Sequence, residues 1–184
     1  MYNLKKALVL FCCLYAAQVQ AATKEIAIVD IQKLMQQAKV IQDISNQINK
    51  KVDVLRGKST VKEKEFKKRS TDLEGQKKLL SQEAFEEKYS KLVKDAEEFN
   101  KVSYSERVAI DKASAEAYGA VEGKVSEIVK KIAARDAVQI VLYREQTAFA
   151  SQELDITSEV LQELDAVMPA LPVDFNKKDN TAGK

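Results

Sequence analysis

The chain has 184 residues and carries 30 Lys and Arg against 28 Asp and Glu, so its formal net charge is only +2. It contains no histidine and no tryptophan, and both of its cysteines lie within the first 21 residues, a predicted signal peptide. The chain after residue 21 therefore lacks the commonest general base and the commonest zinc ligands. No nucleophile–base pair, metal-ligand cluster or phosphate-binding loop is found, so neither an enzyme nor a cofactor is expected. The near-neutral charge also argues against a nucleic-acid partner.

The first 21 residues have the order of a secretory signal peptide. Lys5 and Lys6 precede an apolar run at 7–17, and the small residues Val19 and Ala21 precede a predicted cleavage site. A retained membrane anchor is the less favoured alternative, because the run is shorter than the about 20 residues of a spanning helix. Cleavage after Ala21 leaves 163 residues with 28 basic side chains, 28 acidic side chains and no cysteine.

A short buried strand is predicted at residues 25–30, EIAIVD, because both of its faces are apolar. A short helical segment at 31–35 follows. Between about 40 and 80, apolar residues recur at intervals of three, four or seven, and most of the others are charged or polar. So narrow an apolar stripe cannot build a globular core, and it predicts the seam of a coiled coil.

A hairpin tip is predicted at 80–82. Ser81 is a favourable N-cap, and Leu80 and Phe85 have the spacing of a hydrophobic staple around it. One unbroken helix through residue 130 is the alternative.

The second helix runs from about 82 to 135. Its predicted seam consists of Phe85, Tyr89, Leu92, Ala96, Phe99, Ile110, Ala113, Ala117, Val121, Val125, Ile128 and Ile132.

The apolar seam of the second helix contains smaller side chains between residues 109 and 120, where alanines replace the larger apolar residues. Gly119 and Gly123 weaken the helix further, by roughly 1 kcal/mol each relative to alanine. This composition predicts an arm that can bend or, equally, a close crossing of two helices.

The chain returns to a β pattern at 138–143, where a second strand is predicted, with Thr147–Ala150 as its candidate hairpin partner. A last helix is predicted to open at Thr157, with this threonine as its N-cap and Ile156 and Leu161 as a second staple.

These elements divide the chain into a small strand-containing body and a long helical arm. The body consists of residues 22–40 and 136–168, the arm of residues 41–135, and residues 169–184 form a polar tail that is expected to be disordered. At about 1.5 Å per residue, each arm helix would be roughly 60–75 Å long. The fold class is therefore mainly α with a small β component, and so small a body favours oligomerisation.

Two parts of the body resemble the Skp/OmpH family of periplasmic chaperones. They are IAIVDI followed by LMQQ in residues 26–37, and VQIVL followed later by DITSEVL in residues 138–161. Their order and separation, with a signal peptide in front and a charged hairpin between them, carry the resemblance. It implies a homotrimer in which strands of three chains form one body and three hairpins surround a cavity.

The resemblance also implies an ATP-independent holdase that encloses unfolded outer-membrane β-barrel proteins in the periplasm. The neutral charge departs from the basic members of the family. The lipopolysaccharide site proposed for some members, on basic residues of the second helix, is not matched after Phe99 and is not carried over. A structural coiled-coil protein of the envelope, which binds no client, is the alternative.

Charge is unevenly distributed along the predicted arm. Residues 45–80 hold 11 basic and 5 acidic side chains, whereas residues 81–111 hold 5 and 8. The candidate client-binding residues are Lys67, Lys68, Arg69, Leu73, Lys77, Lys78 and Leu79. The basic ones are predicted to attract acidic client segments or, weakly, an anionic membrane surface. The alternatives are a solvated helix face with pairs to nearby glutamates, and leucines that only close the hairpin.

Overall fold

The computed structural model describes residues 25–176, so the predicted signal peptide and the last eight residues lie outside the described part. The elements in chain order are β1 Ile26–Val29, α1 Ile31–Gln37, α2 Lys39–Gln76, α3 Gln82–Arg135, β2 Ile140–Tyr143 and α4 Thr157–Val167. Two single-turn 3₁₀ helices, Arg144–Gln146 and Gln152–Leu154, connect β2 to α4. The predicted fold class, mainly helical with a small strand component, is confirmed.

β1 and β2 form a parallel pair in which Ile26 lies opposite Ile140. Parallel strands need a crossover connection, and here the two long helices supply it. The second edge of β1 is partly covered, because the Ile28 carbonyl accepts a 2.9 Å hydrogen bond from the N–H of Ile156. The second edge of β2 pairs with no strand within residues 25–176.

A continuous apolar core lies where β1, the start of α2, the second half of α3 and α4 meet. Val40 and Ile44 of α2 and Val160 and Leu164 of α4 are fully buried in it. The seam predicted for the second half of α3 is confirmed, since all of its residues are buried: Ile110, Ala113, Ala117, Val121, Val125, Ile128 and Ile132. Their heptad-like spacing puts them on one side of the helix, which faces the rest of the core.

α2 and α3 form an antiparallel hairpin that extends away from this core. The chain turns at residues 77–81, between the end of α2 at Gln76 and the start of α3 at Gln82. Ser81 is the N-cap that the sequence predicted, and its hydroxyl oxygen accepts the N–H of Ala84 at 3.2 Å. The alternative of one unbroken helix is therefore wrong.

The predicted strand at Thr147–Ala150 is wrong. These residues belong to no strand, and the N–H of Thr147 closes a 3₁₀ turn on the carbonyl of Arg144 at 3.1 Å. β2 finds its partner in β1 instead, from which it is separated by the whole arm. A local alternating pattern predicts that a strand exists, but it does not identify a partner so distant in the chain.

Thr157 is the first residue of α4 rather than its N-cap, which is Ile156 without a side-chain hydrogen bond. The buried hydroxyl oxygen of Thr157 accepts the N–H of Asp30 at 2.9 Å. Asp155 accepts the N–H of Thr157 at 2.8 Å and pairs with Arg144, also at 2.8 Å. These four polar residues, Asp30, Arg144, Asp155 and Thr157, form a junction cluster that joins β1, the loop after β2 and α4.

The junction cluster lowers the pKa of Asp155. Burial by itself raises that pKa, but the hydrogen bonds from Thr157 and the positive charge of Arg144 outweigh it. Each of these contacts favours the charged carboxylate over the neutral acid. Asp155 is therefore held below the ordinary pKa of an aspartate.

The segment 169–176 differs from the expected disordered tail. Residues 171–175 lie along α2, where the N–H of Val173 donates to Gln47 Oε1 at 2.9 Å and the carbonyl of Leu171 accepts from Gln47 Nε2 at 2.9 Å. Val173 is buried as part of the core. This docking was not predicted from the sequence, because the contacts join positions more than 120 residues apart. Residues 177–184 lie outside the described residues.

Candidate functional site

The outer half of the arm is held together by few interhelical contacts. Phe66 of α2 meets Phe99 of α3 edge to face, with ring centroids 6.0 Å apart. Further out, Leu73 and Leu92 are the only side chains of the outer arm that the described structure buries. Beyond these residues the seam contains few large apolar side chains, so the outer arm has a thin apolar line rather than a core.

Arg69 is a structural cross-link between the two helices. Its guanidinium lies 2.7 Å from the carboxylate of Asp95 on α3 and 3.9 Å from that of Glu65 one turn earlier on α2. It also lies over the Phe66 ring, 5.9 Å from the centroid. A residue engaged in this way on both helices is less available to an external partner than an unpaired lysine.

The tip carries a small aromatic group and one prominent leucine. Lys77 Nζ lies 5.5 Å from the centroid of the Phe85 ring, and the rings of Phe85 and Tyr89 stack with centroids 6.3 Å apart. Leu79 is 85% exposed, second only to Phe149 among the large apolar side chains of residues 25–176. Leu80 and Phe85 are half-buried, in agreement with their role in closing the hairpin.

The structure divides the predicted client-binding set into two groups. Lys67, Lys68 and Lys78 are exposed, and none of the ion pairs found within residues 25–176 involves them. Leu79 is also exposed. In the second group, Arg69 is paired across the arm, Lys77 lies over the Phe85 ring, and Leu73 is buried between the helices. The alternative reading, in which a leucine only closes the hairpin, therefore applies to Leu73 and not to Leu79.

An exposed apolar stripe on α3 was missed by the sequence analysis. Tyr89, Val93, Tyr104 and Val108 are 54%, 38%, 71% and 47% exposed. Their spacing of 4, 11 and 4 residues places them on one side of the helix. Tyr89 had been predicted in the seam, and that assignment is wrong. The signal was present in the sequence as a second apolar periodicity beside the seam.

A groove of about 500 Å³ opens between the helices at the point where the seam thins. Val52 and Leu55 of α2 and Tyr104 and Ile110 of α3 lie in its walls. The close helix crossing that Gly119 or Gly123 could have allowed is not present, since a Cβ built at either glycine meets nothing within 4 Å. Each of these glycines therefore faces open space rather than the other helix.

A second groove, of about 510 Å³, lies on the body between the sheet, α1 and α3. Its walls include Val29 and Val141 from the strands, Met35 from α1 and Val125 from α3. This groove is mainly apolar and open to solvent, and none of the predicted client-binding residues lines it.

The described residues contain no group of His, Cys, Asp and Glu side chains that could hold a metal ion. Every buried side-chain nitrogen or oxygen in this part of the chain has a hydrogen-bond partner. Between residues 25 and 176 there is also no helix with the length and hydropathy needed to cross a membrane.

A family model described as outer membrane protein (OmpH-like) matches residues 25–164. The chain belongs to the OmpH-like family. The matched range contains both body motifs and the complete arm of this OmpH-like chain, and it ends before the segment that lies along α2. The family assignment made from residues 26–37 and 138–161 is therefore confirmed.

Among solved structures, this OmpH-like chain is similar to that of a candidate outer membrane chaperone (OmpH-like) from Caulobacter crescentus. The TM-score is 0.78 at 17% sequence identity, and the match covers 86% of this chain and 94% of the Caulobacter chain. At so low an identity the likeness shows a shared fold. A search of curated proteins found no match.

Proposed function

We propose that this OmpH-like chain is an ATP-independent holdase chaperone of the periplasm, which keeps unfolded outer-membrane β-barrel proteins from aggregating. Membership of the family and the description of the Caulobacter neighbour support a chaperone role. The predicted signal peptide supports the periplasm as its location. The proposal includes no catalytic step and no cofactor.

The observation that carries this proposal is the outer surface of the arm. The apolar stripe of α3 is exposed, and of its residues only Tyr104 also borders the groove between the helices, so the stripe contributes little to holding the two helices together. Segments of an unfolded β-barrel alternate apolar and polar residues. Such segments can bury apolar side chains against the stripe, each gaining only about 25 cal/mol per Å² of buried apolar area. Many weak contacts of this kind would hold a client without fixing its conformation.

The unpaired lysines of α2 add an electrostatic component. Lys67, Lys68 and Lys78 have no opposite charge within ion-pair distance in the described structure, so their charges are available to acidic client segments. Long-range attraction of this kind raises the rate of encounter more than the final affinity, and salt weakens it. The same lysines could make weak contact with an anionic membrane surface.

A homotrimer is the proposed assembly, and the open edge of β2 supports it. Ile140 and Tyr143 on this strand are 52% and 50% exposed, and Phe149 in the following loop is 88% exposed. An unpaired strand edge beside apolar side chains is a template for pairing with another chain. Strands from neighbouring copies would cover this surface and bring several arms around one cavity.

Analytical ultracentrifugation of residues 22–184, with and without a urea-diluted outer-membrane β-barrel protein, tests the proposal directly. We expect a trimer that forms a defined soluble complex with the client in the absence of nucleotide. A discrete oligomer that leaves the client to aggregate would favour a structural coiled-coil protein of the envelope, the second candidate function, for which the thin seam is the supporting observation.

Replacing Lys67 and Lys68 by glutamine tests the electrostatic component. The double variant K67Q/K68Q should bind the client several-fold more weakly at low salt, and the difference should disappear as salt screens the charges. The matched control K33Q/K130Q removes the same net charge from α1 and from the end of α3 that packs against the core. Equal losses in the two variants, or a loss that is independent of salt, would contradict local capture by the arm.

A further inference from the structure

The segment 171–175 is held on α2 by a regular arrangement of polar side chains. Asp43, Gln47 and Lys51 are spaced by four residues, so they project from one side of the helix about 6 Å apart. Two residues of an extended chain span about 6.6 Å. These three side chains form a ladder whose spacing matches that of every second residue in an extended segment.

The Gln47 side-chain amide interacts with the segment as a neighbouring strand would. Its Nε2 donates to the carbonyl of Leu171 at 2.9 Å, and its Oε1 accepts the N–H of Val173 at 2.9 Å. These two backbone groups lie on the same edge of an extended chain. The amide thus forms the pair of bonds that one residue of a parallel strand provides through its own N–H and C=O.

The two flanking residues of the ladder complete the arrangement. Asp43 accepts the second N–H of the Gln47 amide at 2.7 Å and the N–H of Leu171 at 3.2 Å, which fixes the orientation of the amide. At the other end, Lys51 Nζ lies 5.7 Å from the centroid of the Phe175 ring. Apart from that ring, the ladder contacts backbone groups, which every extended peptide possesses.

Side-chain burial in the segment alternates with a period of two. Val173 is 9% exposed and belongs to the core, Leu171 and Phe175 pack against it, and Pro172 and Asp174 face solvent. The surface on α2 therefore selects apolar residues at every second position and leaves the intervening positions free. This is also the pattern of an unfolded transmembrane β-strand, in which lipid-facing and lumen-facing residues alternate.

We propose that the surface formed by Asp43, Gln47 and Lys51 is a docking site for extended segments with apolar residues at every second position. In the resting chain it is occupied by the chain's own residues 171–175. The occupant that the site takes from outside is a segment of an unfolded outer-membrane β-barrel protein, so the inference rests on the proposed function. The tail then acts as a built-in competitor that a client must displace.

The short connection to α4, which ends at Val167, makes this competition effective. A segment tethered by a few residues has an effective concentration on the order of millimolar. A free peptide with the same contacts meets a site that is mostly occupied, and its apparent affinity falls in proportion to the fraction left open. Releasing the tail should therefore increase the affinity of the site for a free peptide.

The variant V173D, in the full chain, tests this inference, because a charged side chain cannot occupy the buried position of Val173. The probe is a fluorescein-labelled peptide, STLTVTFS, with apolar residues at alternate positions. We expect V173D to bind it at least about 10-fold more tightly than the wild type. The control peptide STTLVFTS has the same composition with its apolar residues adjacent, and it should bind neither protein.

Two further variants separate a vacated site from a damaged fold. L171S/F175S also releases the tail but leaves Val173 unchanged, and it should reproduce the gain of V173D. Adding Q47A to V173D removes the amide clamp, and this should abolish the gain. An unchanged peptide affinity in both release variants, with circular dichroism and sedimentation like those of the wild type, would overturn the inference and make the tail a purely structural strap.

Prevention of client aggregation, measured on the same variants, distinguishes failure of the inference from failure of the proposed function. If the release variants bind no peptide but still keep the β-barrel protein soluble, the holdase function stands and the docking site is wrong. If they bind the peptide but no variant protects the client, the docking site is real and the holdase proposal fails. A gain in both measurements supports both proposals.

Discussion

The body and the outer arm are stabilised in different ways, although the same two helices run through both. In the body, α2 and α3 pack against the sheet and α4, and side chains such as Val40, Ile132 and Leu164 are fully buried. In the outer arm the same helices meet only each other. Their contact consists of one aromatic pair, two buried leucines and a few exposed ion pairs.

This difference indicates where the free energy of folding is concentrated. Exposed ion pairs contribute about 0.2–1 kcal/mol each, whereas a fully buried aliphatic side chain contributes about 1.5–3 kcal/mol. The outer arm can therefore open locally while the body stays folded, as regions with few buried apolar contacts do. The proposed client-binding surface lies on the less stable of the two regions.

The largest expected effect comes from truncating a leucine in each region. L164A leaves a cavity in the body core and should lower the free energy of unfolding by about 2–5 kcal/mol. L73A removes a side chain of the same size from the arm, where the two helices can close around the gap, and should cost less than half as much. Urea unfolding followed by circular dichroism measures both, and equal losses would remove the distinction between the regions.

The junction cluster should give the next largest effect. T157V removes a buried hydroxyl that accepts the N–H of Asp30 and stabilises the carboxylate of Asp155. Leaving the N–H of Asp30 without its acceptor should cost about 1–3 kcal/mol. No comparable buried polar contact is found within the described outer arm, so its helices should keep their hydrogen-exchange protection pattern. Thermal unfolding and hydrogen exchange of T157V, compared with T157S as the conservative control, measure the two effects.

The lowered pKa of Asp155 predicts a dependence of stability on pH. Because the folded-state pKa lies below the unfolded value of about 3.9, the contribution of Asp155 is fully present above that pH. It is lost as the pH falls from about 3.9 through the folded-state pKa. Thermal unfolding between pH 2 and pH 6 should show this loss in the wild type and a smaller one in D155N. If stability fell equally with decreasing pH in the wild type and in D155N, the loss could not be attributed to Asp155.

In the outer arm, the aromatic pair offers a more local test. F66A removes an edge-to-face contact that is worth about 0.5–1.5 kcal/mol beyond its buried area. Hydrogen exchange should become faster in the arm on both sides of residues 66 and 99, while exchange in β1 and α4 stays unchanged. Faster exchange throughout the protein would mean that arm and body unfold as one cooperative unit.

The smallest effect is expected from the two glycines of α3. G119A and G123A should each stabilise the helix by about 0.5–1 kcal/mol, because alanine restricts the unfolded chain and the added methyl group meets open space. Thermal unfolding of each variant measures the gain. A loss of stability instead would reveal a neighbouring chain packed closely against this face of α3.

The sequence predicted the elements that depend on local patterns. The bounds of α3, the Ser81 cap and the buried series from Ile110 to Ile132 follow from residues within a few turns of each other. The incorrect predictions, in contrast, concern features that depend on contacts between residues far apart in the chain. The position of Thr157 is determined by the N–H of Asp30, and the docking of Val173 by Gln47, and both pairs are more than 120 residues apart.

The candidate site was predicted only in part for a related reason. Spacing identified the basic residues of the outer arm, but it could not separate Lys67, which is unpaired, from Arg69, which is paired with a residue of the other helix. That distinction requires the register between α2 and α3. Tyr89 was wrongly assigned to the seam because its spacing from Phe85 and Leu92 fits the heptad pattern. That spacing does not show whether the tyrosine faces the other helix or the solvent.

The parallel pairing of β1 with β2 has a consequence for the order of folding. Contacts across the hairpin join residues 26 positions apart at Arg69 and Asp95, and 48 apart at Lys58 and Glu106. The separation reaches 73 at Ser45 and Tyr118. The entropic cost of closing a loop grows with the length of chain enclosed. The hairpin can therefore form from its tip towards the body, because each contact shortens the loop that the next contact must close. The strands, which lie furthest apart in the chain, would then be joined last by an arm that has already formed.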